Sequence, residues 1–107
     1  MSSTTHRDLL AFQERHGISV DENFPPLALA GGDALEFMDL LRSLNQRPVG
    51  IELWRHTARG YDVDGLGGWY SVIDDEKENF DEAVEYLSSG SFGDMDRFFI
   101  QYEDMNG

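Results

Sequence analysis

A chain of 107 residues with no cysteine and three histidines has few routes to covalent or metal chemistry. Without thiols there is no disulfide, no thiolate nucleophile and no cysteine metal ligand. Serine catalysis would need a histidine partner, and no Gly-x-Ser-x-Gly elbow surrounds any serine. His6 and His16 fall in a terminal helix and at its exit, and His56 in a loop, where ordinary solvated imidazoles are expected. Asp62, Asp64 and Gly67 open like a calcium loop, in the run DVDGLG. The match then fails, because Leu66 replaces the ligand at the fifth position and Ile73 stands where a bidentate glutamate belongs. Asp74 and Asp75 supply no better cage. Gly65, Gly67 and Gly68 lack the lysine and the strand-to-helix context of a phosphate loop, so they read as turn formers. Paired carboxylates of glycosidase type occur throughout so acidic a chain and carry no weight. The sequence therefore predicts no catalytic residue, no metal and no cofactor.

What remains is charge and aromatic surface. Tyr61 to Leu87 holds nine acidic residues and one basic residue, Lys77. Residues 62–107 carry thirteen acids and two bases, whereas residues 1–61 carry eight acids and six bases, so nearly all of the net charge of −13 sits in one part. A field of that sign repels nucleic acid and anionic membranes and speeds encounter with a basic partner. The plain alternative is that the acids only keep the protein soluble. Trp54, Trp69 and Tyr70 either fill the core or stand among these acids as protein-binding anchors. The candidate partner-binding set is Glu52, Trp54, Asp62, Asp64, Trp69, Tyr70, Asp74, Asp75, Glu78, Asp81, Glu82 and Glu85.

The elements that must position these residues follow from hydrophobic periodicity. Thr5 to His16 predicts a short helix capped by Thr5 and closed at Gly17. Pro25 and Pro26 end a connection and lead into Leu27 to Ala30, an apolar run suited to a buried strand. Asp33 to Leu44 predicts the clearest helix, with Asp33 and Glu36 at capping-box spacing and a wide stripe that includes Phe37, Met38 and Leu41. VGIELWR alternates, with Val49, Ile51 and Leu53 on one face and Glu52 and Trp54 on the other. WYSVI predicts a second strand pairing with it as a hairpin across a long glycine-rich connection. Asn79 and Glu82 suggest the start of a further helix, with Phe80, Ala83, Val84 and Leu87 inside and Gly90 beyond its end. Arg97 to Glu103 predicts a last strand.

One domain is expected over residues 1–107, an N-terminal helical arm to residue 26 and an α+β core from 27 to 107. The order strand, helix, strand, strand, helix, strand is the split βαβ arrangement, a βαββαβ sandwich. It has a three- to four-stranded sheet with two helices on one face, preceded by the N-terminal helix. The N-terminus carries no apolar run long enough for a signal peptide and no segment could span a bilayer, which predicts a cytoplasmic protein.

Four segments, ALAGGDALEFMDLLRSLNQRPVGIELWR, GGWYSV, NFDEAVEYL and FFIQYED, resemble immunity protein family 40 of the bacterial polymorphic toxin systems. The likeness rests on a helix opening at Asp33, Ala34 and Leu35, the strand after it, a turn, the pair Trp69 and Tyr70, a helix and a closing apolar strand. It leaves out the arm up to Pro26 and the connection from Asp62 to Gly68. The resemblance implies a non-enzymatic cytosolic protein that binds a cognate toxin domain and blocks it. Two other classes remain open at this point. One is an acidic nucleic-acid mimic inhibiting a restriction or CRISPR effector, which gene context distinguishes. The other is a small enzyme or binding module, which would need a closed polar pocket with partnered histidine and carboxylate. The oligomeric state is not legible.

Overall fold

The computed structural model describes residues 3–18, 27–62, 68–72, 74–89 and 92–104, with the side chains of residues 3–6 excepted. Its sheet is built around one long strand, β1 (Gln46–Thr57). β4 (Arg97–Asp104) runs antiparallel along it from Trp54↔Arg97 to Gln46↔Asp104. β3 (Trp69–Tyr70) pairs antiparallel at Gly50 and Ile51, residues that also face β4, so β3 takes the other edge. β2 (Gly60–Asp62) folds back on the end of β1. Its tight turn closes on Gly60, whose φ of +117° favours glycine, and the Thr57 hydroxyl accepts from the Arg59 N–H inside the turn.

Three helices complete the chain: α1 (Ser3–His16), α2 (Gly31–Ser43) and α3 (Glu76–Leu87). Because β3 and β4 are both antiparallel to β1, they are parallel to each other, with β1 between them and α3 as the crossover. That is a split βαβ unit in an α+β sandwich, as expected, but the first strand of the βαββαβ order is absent among the described residues and the sheet reaches four strands through β2. α2 and α3 pack on β1 and on each other, and α1 packs on α2. Phe37, Met38 and Leu41 of α2 meet Phe80, Ala83 and Leu87 of α3 in one apolar cluster over Ile51, Leu53, Phe98 and Ile100.

The alternation along β1 is broken once, at a register shift between Pro48 and Gly50. Proline has no N–H for the ladder, and a bulge is where a sheet tolerates it. Past the bulge Ile51 and Leu53 face the helices, and Glu52 and Trp54 point to the opposite face, as the alternation predicts. Before it the inward positions are Gln46 and Pro48, both buried, so Val49 leaves the row assigned to it.

Other local expectations also change. Leu27 to Ala30 is not a strand: Ala28 bridges Ile18 and Leu29 bridges Phe98, two isolated contacts with different partners. The fourth strand is β2, from the stretch expected to be connection, and His56 lies in β1 rather than in a loop. The second strand is shorter than WYSVI, ending at Tyr70. α2 begins at Gly31 with Ala30 as an N-cap lacking a side-chain bond, so Asp33 lies in the first turn and does not cap. Its exit uses Asn45 at φ 59°, the left-handed position asparagine tolerates. α3 begins at Glu76, where the Asp75 carboxylate accepts from the Glu78 N–H at 2.9 Å; Asp75 is the cap and Asn79 is not. α1 already begins at Ser3, so Thr5 lies within its first turn and does not cap it; the Pro25–Pro26 connection, the 63–67 loop, Ile73 and Gly90 lie outside the described residues.

Candidate partner-binding surface

α3 presents two unlike faces. Its inner face carries Phe80, Ala83 and Leu87 and, unusually for such a stripe, Asn79, which has no solvent exposure. The Asn79 amide donates to the Pro48 carbonyl at 2.9 Å, a group displaced at the bulge, and its oxygen accepts from the Ser71 hydroxyl. Ser71 in turn accepts from Arg47, and Arg47 reaches Glu103 at 3.3 Å. One polar chain therefore fixes the first turn of α3 to β1, to the end of β3 and to β4. A buried amide left without such partners would cost about 1–3 kcal/mol.

The outer face of α3 is acidic. Glu76, Glu78, Asp81 and Glu85 are exposed. Glu76 and Glu78 lie in the first turn, where the helix dipole favours them, and Lys77 pairs with Asp81 at 3.3 Å. No such reason holds for Glu85. It sits in a last turn that has no basic residue, against the dipole. Glu78 with Asp81 and Glu82, and Glu85 with Asp81 and Glu82, are like-charge pairs at helical spacing, each costing about 0.2–0.5 kcal/mol. Glu85 is the acid from which the helix gains nothing in return.

Glu82 differs from its neighbours. It is half-buried and accepts at 2.8 Å from the Trp69 indole N–H. Trp69, 8% exposed, belongs to the core. Trp54 is also buried, at 6%, opposite Arg97 on the sheet face away from the helices. The indoles are thus closed to a partner, which leaves Tyr70, 59% exposed, as the accessible ring of the three. Tyr70 lies over Gly50, where an added Cβ would stand 3.3 Å from the ring. Glu52 is half-buried opposite Phe99 on that same face. Asp62, Asp74 and Asp75 are exposed, the last also serving as the α3 cap. Asp64 lies outside the described residues. Trp69 meets α3 through Glu82 and Asp75 caps that helix, Tyr70 alternates with Trp69 toward the opposite sheet face, and Trp54 and Asp62 lie toward the other end of β1.

Three polar residues outside the candidate set prove structural. Asn79 and Ser71 hold α3, and buried Asp96 accepts from the His56 and Gly93 N–H groups, each at 2.9 Å, tying the turn before β4 to the end of β1. Asn79 shares the helical spacing of Ala83 and Leu87, a signal for the inner stripe that stands in the sequence beside its fit to a cap. Gly68 is required by close approach, since a Cβ there would lie 2.9 Å from the Ile51 carbonyl oxygen.

Titration offers little chemistry. Burial raises the Tyr86 hydroxyl above its ordinary pKa of 10.0, with nearby Arg55 partly offsetting it, and burial likewise raises Tyr102. His16 lies tilted against Phe12 and 3.8 Å from Asp33, too long for a hydrogen bond, and His56 meets Tyr61 edge to face. A cleft of about 420 Å³ between the end of α2 and the start of α3 is lined by Arg42, Lys77, Glu76, Asp81, Asn45 and Phe80, with the Arg42 guanidinium 4.8 Å from the Phe80 ring centroid. Among the described residues no histidine lines this or the two smaller clefts. No described group of three or more His, Asp or Glu could hold a metal ion, and no described helix is long and apolar enough to cross a membrane. No protein-family model matches the chain, and no curated protein matches it.

Proposed function

We propose that this protein is an immunity protein: it binds a cognate bacterial toxin domain in the cytoplasm and neutralises it by occlusion, with no chemistry of its own. The observation that carries the reading is the outer face of α3, where exposed Asp81 and Glu85 and half-buried Glu82 stand in like-charge spacing that weakens the helix. Acids kept at a structural cost are expected where a basic partner repays it on binding. Close charge pairs across an interface couple by about 1.5–7 kcal/mol, so a few of them suffice for tight association. Tyr70 adds an exposed ring at the sheet edge, and the polar chain behind α3 holds the acids in place without further ordering.

The test is co-expression with the adjacent reading frame. Growth is expected to stop when the neighbour is expressed alone and to resume when this chain is present, with the two purifying as a pair. A neighbour that remains toxic in the presence of this chain contradicts the proposal.

A further inference from the structure

β3 is an edge strand that leaves backbone groups facing outward. The Ser71 N–H bonds the Val49 carbonyl at 3.1 Å, so in the antiparallel alternation Trp69 and Ser71 turn their backbone groups to β1 and Tyr70 turns its N–H and C=O to the other side. No described residue hydrogen-bonds those groups of Tyr70. The side chains there are open as well: Val72 is 84% exposed and Tyr70 59%, two of the three exposed large hydrophobics among the described residues. Strand edges are usually blunted by brevity, a lysine, a proline or a covering element, and β3 has brevity. Residues 68–72, GGWYSV less its first glycine, carry neither lysine nor proline.

We propose that the β3 edge accepts an extended, basic segment of the partner by strand addition, a binding mode that rests on the toxin-binding reading above. The choice of occupant follows from charge. Asp74 and Asp75, two and three positions past Val72 in the chain, are exposed, and the α3 acids follow. A second copy of this chain would bring another net charge of −13 to the same edge, and nucleic acid or an anionic membrane would be repelled in the same way. A cationic segment alternating apolar and basic residues fits: its backbone pairs with Tyr70, its apolar side chains cover Tyr70 and Val72, and its basic ones reach the aspartates.

The probe is a peptide of alternating lysine and valine, titrated into the isotopically labelled protein and followed by amide resonances and amide exchange. Slowed exchange at Tyr70, with shifts through Val72, is expected; a glutamate–valine peptide should give neither. Tyr70→Pro removes the outward N–H, at a position where an edge strand tolerates proline, and should weaken binding several-fold relative to Tyr70→Ala, which shares the loss of the ring. Thermal unfolding of both variants shows whether each folds. Binding that shifts α3 resonances but leaves Tyr70 exchange unchanged, or equal binding by the two variants, overturns strand addition while leaving the acidic docking face standing. Absence of any shift at either place overturns both.

Discussion

α2 and α3 lie side by side on the same sheet and are stabilised in opposite ways. α2 has no side-chain cap, yet its wide apolar stripe is buried on Phe37, Met38, Leu41 and Ala34, and Arg42 in its last turn suits the dipole. α3 has a narrower stripe, a well-formed Asp75 cap, and two polar tethers, Asn79 to Pro48 and Glu82 to Trp69. Its last turn carries Glu85 and no base. The difference separates a helix that makes the core from one that is held rigid so that its outer face can be acidic.

That contrast can be broken at either helix. Phe37→Ala in α2 should cost about 3–5 kcal/mol in urea unfolding, because the ring is fully buried between the helices and the sheet. A loss under about 1 kcal/mol, the size of a surface change, would deny α2 its place in the core. Asn79→Ala in α3 should cost about 1–3 kcal/mol by orphaning the Pro48 carbonyl and the Ser71 hydroxyl. Trp69 fluorescence would report whether α3 loosens from the sheet; an unaltered protein would mean that the tether is dispensable.

The smallest effect is expected from pH, and it tests the inner face shared by the helices and β4. The folded pKa values of Tyr86 and Tyr102 lie above the unfolded value of 10.0 because burial disfavours the phenolate. Their contribution is then complete below pH 10.0 and is lost as pH rises from there through the folded values, since the unfolded chain releases the protons first. Chemical denaturation on either side of pH 10.0 should show stability falling on the alkaline side, less steeply in Tyr102→Phe. No difference between that variant and the parent would remove Tyr102 from the account.

The contrast between the helices was only half legible in the sequence. The α2 stripe repeats at helical spacing and needs no tertiary information, and the acids of α3 are plain in the composition. Asn79 satisfied two local rules at once, as a cap and as a stripe position, and only the carbonyl displaced at the Pro48 bulge decides between them. The bulge also hid the true inward row before Gly50, since alternation cannot register one extra residue. Leu27 to Ala30 is apolar because Ala28 and Leu29 are buried, and burial of a short run does not distinguish a ladder from two single bridges. β2 escaped notice because three residues closing a tight hairpin carry no period. For the site, sequence could assemble the acids but could not show that Trp54 and Trp69 are buried, which leaves Tyr70 as the accessible ring.

The most direct measurement joins stability and binding in one variant, Glu78→Lys with Glu85→Lys. It moves the net charge from −13 to −9 and turns the like-charge pairs with Asp81 and Glu82 into opposite-charge pairs, leaving the Trp69 tether untouched. Relief of the four like-charge pairs offsets the loss of Glu78 from the dipole-favoured first turn, so unfolding near the parent's urea concentration is expected, with association to the toxin domain slowed about tenfold or more at low salt. Unchanged association at low salt would contradict the claim that the acidic face of α3 is a docking surface.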